Sequence, residues 1–197
     1  MTVSKSFRRA ALIFPGMLFV LTTASLAAPA PGEGDVAIYG GGSHLDDNGG
    51  THATVGGAAG ISPGDNLQLF GEFNYIPLGS YNGGVAGVQT SASSRLLNFG
   101  GGVRVHFAPK GSKAKPFVVV VAGDGRTTAS GSASVAGFSS SFSGSSSSVY
   151  AGGGGGVSIF AGEHWGFRPE FRYQRYVQNG GGNVLMFTAG VFFQLGR

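Results

Sequence analysis

Cysteine is absent from this 197-residue chain, which excludes disulfide scaffolds, thiolate zinc sites and thiol nucleophiles together. Charge is scarce at 11% of residues, and there is a single tryptophan. Long helices are excluded by an excess of the opposite kind: there are 38 glycines, and each costs about 1 kcal/mol against alanine in a helix interior. Glycine and proline together approach a quarter of the chain, a level that suggests disorder. Against that, 42% of the residues are hydrophobic and 12% aromatic, and they fall in short, regular clusters. Stability therefore rests on packing and hydrogen bonding in short-period structure.

The net charge of +4 owes much to Lys5, Arg8 and Arg9. These precede an apolar run from Ala10 to Val20 and a small-residue stretch to Ala28, the order of a secretory signal peptide. Ser25 and Ala27 supply the small residues for cleavage after Ala27. A membrane-anchor helix is disfavoured, because Pro15 and Gly16 interrupt a run already short of the roughly 20 apolar residues a span needs. Removing 1–27 leaves ten basic and nine acidic residues, so no basic patch remains to suggest nucleic acid. Residues 28–34 read as a short extended lead-in and 35–197 as one domain.

Within that domain the hydrophobic period is two. Eight strands are expected, at about 35–44, 51–61, 67–78, 95–108, 116–124, 147–160, 166–178 and 183–196. In the fourth, Leu97, Phe99, Val103, Val105 and Phe107 oppose Asn98, Gly100, Gly102, Arg104 and His106. In the seventh, Phe167, Pro169, Phe171 and Tyr173 oppose Arg168, Glu170, Arg172 and Gln174. Such alternation suits either a soluble barrel with an apolar core or a membrane barrel with an apolar outside. The polar face decides, because it holds Gly, Asn, Gln and Arg with single Glu residues instead of a solvated mixture of Lys, Glu and Thr. Glycines such as Gly152 to Gly156 cannot fill a soluble core, but they leave room inside a narrow barrel. An even, antiparallel set also closes without an edge, as lipid requires.

The connections agree in parity. Ser62 to Asn66, Pro109 to Lys115 and Ala161 to Trp165 are short, as inner-side turns are, whereas Gly79 to Ser94 and Gly125 to Ser146 are long. Ser139 to Ser148 reads as a loop, since Val135, Phe138 and Phe142 do not share one parity along the chain. Trp165, Tyr173, Tyr75 and Phe107 are expected at the interfacial girdles.

With Phe167-Arg168-Pro169-Glu170-Phe171-Arg172-Tyr173 followed by Phe187-Thr188-Ala189-Gly190-Val191-Phe192-Phe193-Gln194, the chain resembles the small eight-stranded outer-membrane barrels, close to the OmpA-like transmembrane domain, over about 28–197. The resemblance implies an eight-stranded antiparallel up-and-down transmembrane β-barrel behind a signal peptide, located in the bacterial outer membrane. As partners it implies outer-membrane lipid, periplasmic chaperones and the barrel-insertion machinery, with a monomer as the assembled form. Gly196 and Arg197 follow the last apolar residue, where family members usually end on an aromatic.

Counted from the short-turn ends, Glu72, Arg104 and Glu170 fall at one level, with Arg168 and Arg172 flanking. Arginine forks reaching carboxylates across a narrow lumen would form a buried, paired plug. The competing reading of these five residues is a gated ion path, and the corresponding alternative for the barrel is a narrow channel for small solutes. No catalytic residues, metal or cofactor are expected. A lipid-modifying enzyme would need a Ser and His pair; His44 beside Ser43, His52, Asp46 and Asp47 lie near the first outer loop, but their spacing matches no motif. His106 is expected inside the lumen, donating to the network. Lys110, Lys113 and Lys115 are expected as a solvated basic turn. A soluble lipocalin-like barrel remains as a last alternative; it would turn every strand inside out.

Overall fold

A computed structural model describes residues 33–46, 50–85, 88–109, 111–135, 138–177 and 182–195. The expected signal peptide, residues 28–32 of the lead-in, Asp47, Lys110, Gly196 and Arg197 lie outside the described residues. Eight antiparallel strands follow in chain order: β1 (Gly34–Leu45), β2 (Gly50–Gly64), β3 (Leu67–Val85), β4 (Val88–His106), β5 (Ala114–Val135), β6 (Phe138–Phe160), β7 (Trp165–Tyr176) and β8 (Gly182–Leu195). Each pairs with its sequence neighbour, and β1 closes the ring on β8 from Gly34↔Leu195 to Leu45↔Val184. Closure pairs every strand in the ring, which an apolar surround demands.

Period-two alternation sorts the side chains. Ile38, Val120, Phe99, Phe171 and Phe187 project outward and are half or more exposed. Asp35, Gln68, Glu72, Asn98, Arg104, Arg168, Glu170, Arg172 and Gln174 on the other parity are buried. The apolar face is outside and the charged face inside, so the lipocalin-like alternative is corrected. Trp165 and Phe107 lie on the outer surface near the short-turn end, and Tyr75 and Tyr173 sit outward farther up their strands.

Inward glycines are what let the interior close. Gly154 faces Arg172 across the β6–β7 pair, Gly156 faces Glu170, Gly100 faces Glu72, and Gly190 faces Arg168. A Cβ on Gly154 would lie 2.0 Å from the Phe171 carbonyl oxygen, whereas on outward Gly153 it would be 3.4 Å from the Val119 oxygen. The backbones of β6 and β7 thus approach more closely inside than any side chain allows, and the space above them is taken by long charged groups.

Strand length departs from expectation. β1 and β7 have 12 residues, near the 9–11 that cross a bilayer, but β5 has 22 and β6 has 23. The described residues of the stretches expected as loops, Gly79 to Ser94 and Gly125 to Ser146, are therefore strand. They form a four-stranded fin from the upper parts of β3 to β6, paired without interruption from Arg95↔Thr128 to Val88↔Val135 and from Arg126↔Ser147 to Val135↔Phe138. The parity of the three apolar residues misleads because Val135 and Phe138 are register partners in adjacent strands although their numbers differ by three. Opposite each other in the hairpin, they share a face despite their odd and even numbers. One irregularity interrupts β3, a bulge between Pro77 and Gly79, where Gly79 takes φ +131.

Candidate functional site: the barrel interior and the fin

The interior is layered. Deepest toward the short-turn end, Arg168 donates from Nη2 to Asp35 Oδ2 at 2.5 Å and from Nε to Ser158 Oγ at 3.2 Å. Its guanidinium lies 4.4 Å from the centroid of the Phe192 ring. Above it, Arg172 Nη1 donates to both oxygens of Glu72, at 2.6 and 2.5 Å, and its Nε donates to Glu170 Oε1. Glu170 Oε2 accepts from Arg104 Nη2 at 3.2 Å, and Arg104 Nη1 donates to Gln68 Oε1. Phe70 and Phe117 flank the Arg104 guanidinium at 4.4 and 4.9 Å.

All five residues singled out in the sequence thus lie in the lumen, but in two groups. Glu72, Arg172, Glu170 and Arg104 are one continuous chain of contacts, while Arg168 turns to Asp35 instead of a glutamate. With Asp35 included, three carboxylates meet three guanidinium groups. Each charge is removed from water and compensated by its neighbours, the condition under which burial of ions is tolerated. Sequence reasoning missed Asp35, Gln68 and Ser158. The signal available for Asp35 was its position opposite Gln194 and two residues before Ala37 on the inward parity of β1. It also missed the aromatic partners Phe70, Phe117 and Phe192, which share a parity with the charges and therefore look like breaks in the alternation.

Two expected placements are corrected. Lys115 is not on a solvated turn: β5 begins at Ala114, inward parity carries Lys115 into the lumen, and its Nζ lies 5.0 Å from the Phe160 ring centroid. Lys113 stays exposed. His106 faces inward, but it meets the Phe117 ring edge-on at 5.5 Å and does not extend the ion chain.

Above the ions the lumen turns neutral, then apolar. Asn74, Asn98 and Gln174 are fully buried, with Asn98 Oδ1 accepting from the Tyr176 hydroxyl at 3.0 Å. Ile76, Leu96, Tyr150, Tyr176, Val184 and Met186 pack into one cluster across the barrel, the two tyrosine rings 5.5 Å apart. Over this lid opens a vestibule of ≈180 Å³ lined by Leu45, Leu78, Thr127 and Asn183 among others. At the outer rim His44 Nδ1 lies 3.0 Å from Thr51 Oγ1, and Ser43 and Thr54 hydroxyls bond each other. Neither arrangement joins a serine to a histidine. Among the described residues no group of three or more His, Asp or Glu side chains converges as a metal site.

The fin differs in every respect. Its outward face carries two transverse rows of small polar groups, Ser80, Ser93, Ser130 and Ser143, then Asn82, Ser91, Ser132 and Ser141, around a shallow depression. Ser91 and Ser132 hydroxyls lie 2.9 Å apart, Ser93 and Ser130 3.1 Å. On the inward face the Phe142 ring covers Gly131, where a Cβ would lie 2.6 Å from it. Arg95 and Arg126 stand at the base, and Arg126 Nη2 donates to Ser145 Oγ at 3.2 Å. No described fin residue above them is charged.

Solved structures share this architecture. Ail, the attachment invasion locus protein of Yersinia pestis, superposes with a TM-score of 0.61 at 14% identity in its complex with the heparin analogue sucrose octasulfate, over 84% of this chain and 99% of that one. Neisserial surface protein A gives 0.56 at 16% identity, over 82% and 98%. The N-terminal β-barrel domain of Pseudomonas aeruginosa OprF gives 0.53 at 17%, over 85% and 100%. The chain has the fold of the small eight-stranded outer-membrane β-barrels. No family model matches the sequence, and no curated protein does. In this outer-membrane barrel fold the short connections from β2 to β3, β4 to β5 and β6 to β7 gather at the end where β1 begins and β8 ends, and the fin rises from the other.

Proposed function

We propose that the protein is an integral protein of the bacterial outer membrane whose barrel is a closed pedestal, and that its work is done by the fin as a surface-interaction element. One observation carries this reading: an apolar lid and an ion-paired layer lie in series across the lumen, so a solute would have to part both. The outward apolar band supplies the lipid-facing surface, and the three inward carboxylates are paired with three inward guanidinium groups. A narrow channel fits less well because the apolar lid interrupts the polar lumen, and a lipid-modifying enzyme fits less well because Ser43 and His44 are engaged with Thr54 and Thr51.

Ail is described with a heparin analogue. That property is not carried over to this fin, because sulfate recognition draws on arginine or lysine and the fin has these only at its base.

The test has two parts. Purified outer membranes run unheated and boiled on a detergent gel should give a fast-migrating form before boiling. The folded protein in planar bilayers should then give no conductance steps. Steady ohmic steps in the wild-type protein would replace the pedestal with a channel.

A further inference from the structure

The two open edges of the fin are built differently. On the β3 side, pairing with β2 ends at Val55↔Tyr75, and the exposed edge beyond it is interrupted at once by Pro77, by the bulge and by Gly79 at φ +131. These are devices that blunt an edge against strand addition. On the β6 side, pairing with β7 begins at Tyr150↔Tyr176. From Phe138 to Ser145 the edge has no neighbouring strand among the described residues, no proline, no charge and no bulge. An uninterrupted, uncharged edge is a template for another strand.

The direction of its backbone groups can be derived. The Val149 carbonyl accepts from the Val177 N–H at 3.0 Å, so it points away from β5. In an extended strand every second residue points the same way, which aims the N–H and C=O of Ser139, Ser141, Ser143 and Ser145 outward from the fin. The centre of that set is Phe142, whose ring is 65% exposed, with Phe138 on the same face at 81%.

We propose that this edge pairs antiparallel with the same edge of a second copy of the chain, about a two-fold axis through Phe142. That register matches all four outward-aimed serines of each copy, Ser139 with Ser145 and Ser141 with Ser143, and sets the two Phe142 rings side by side. Self-pairing is permitted because the edge bears no charge to repel its own image, and it is two-fold by construction. Two copies in one membrane present β6 running the same way, so antiparallel pairing joins copies in facing membranes. Each barrel stays monomeric in its own bilayer, and the product is homotypic adhesion. The inference rests on the membrane-anchored pedestal reading.

Proteoliposomes of the full barrel in neutral lipid, followed by light scattering, test it. Wild-type vesicles should cluster, with a several-fold rise in apparent size. Ser141→Pro with Ser143→Pro removes two outward N–H groups while sparing the bonds to β5 and should leave the vesicles dispersed. Ser143→Lys should also disperse them at low salt, and added salt should restore clustering by screening the introduced charge. Asn82→Lys, on the blunted β3 side, should cluster as wild type does. Dispersed wild-type vesicles that carry heat-modifiable protein would overturn the proposal and leave the edge to an extended segment of another protein. Equal clustering by the proline variant, or crosslinking through residue 142 within single vesicles, would overturn it too. Failure of the chain to insert, seen as no gel shift, would instead refute the pedestal reading.

Discussion

The fin continues four of the eight strands of the lower barrel, with the β4–β5 and β5–β6 registers unbroken, yet the two regions invert each other. Below, hydrophobic residues point out and ions point in; above, hydroxyls point out and the aromatic residues Tyr81 and Phe142 point toward the barrel axis. The ladder is indifferent to this change, since backbone pairing continues through it. What changes is the solvent each face must meet. Around Phe171 and Phe187 the outside is apolar; along β4 and β5 it passes Asp124, opposite Phe99, then Arg126 and Arg95, and six residue pairs beyond Phe99 it is serine. The arginine pair marks the boundary between two solvents on one continuous sheet. Stability should accordingly concentrate in the lower barrel, where burial couples many groups, and be spread thinly in the fin.

The largest break in this comparison comes from the ion chain. Glu170→Leu leaves Arg104 without a carboxylate inside the barrel and Arg172 with Glu72 alone, and unfolding from detergent should show a loss of about 3–5 kcal/mol. Next is Gly154→Ala, where the new Cβ meets the Phe171 carbonyl; it should cost about 1–3 kcal/mol in the same titration, and Gly153→Ala far less. A smaller contrast separates two lysines close in sequence, Lys113 before β5 and Lys115 within it. Lys115→Ser should cost about 1 kcal/mol by removing a buried cation from the Phe160 ring, while Lys113→Ser should leave the midpoint unchanged. Smallest is the fin: Ser93→Ala with Ser130→Ala, breaking an exposed hydroxyl pair, should stay within about 0.5 kcal/mol per site. A fin variant as damaging as Glu170→Leu would erase the distinction between the two regions.

Much of the barrel was legible because alternation is strongest where both faces are under constraint. The β7 sequence could be read residue by residue, since Phe167, Phe171 and Tyr173 face out while Arg168, Glu170 and Arg172 face in. β5 was less transparent: Val118 and Val120 face out, but Phe117, Val119 and Val121 face in, so apolar residues on both parities hide the period. The fin was illegible for the converse reason. With water on both faces, serine, alanine and glycine satisfy either side, and no hydrophobic period is imposed on the strand. Pairing partners were harder still. The level of Glu72, Arg104 and Glu170 follows from counting along strands, but which arginine meets which carboxylate depends on stagger around the ring, and that sends Arg168 to Asp35.

The central claim is that lipid surrounds the apolar face and that ions occupy a closed interior. The absence of cysteine makes it directly measurable by single-cysteine labelling of the folded protein in vesicles with a nitroxide, position by position from 166 to 177. Collision with oxygen dissolved in the bilayer should peak at Phe167, Phe171 and Tyr173, while Arg168, Glu170 and Arg172 should be shielded from both oxygen and aqueous quencher. Oxygen collisions confined to the even-numbered positions, or equal aqueous access at both sets, would contradict the account.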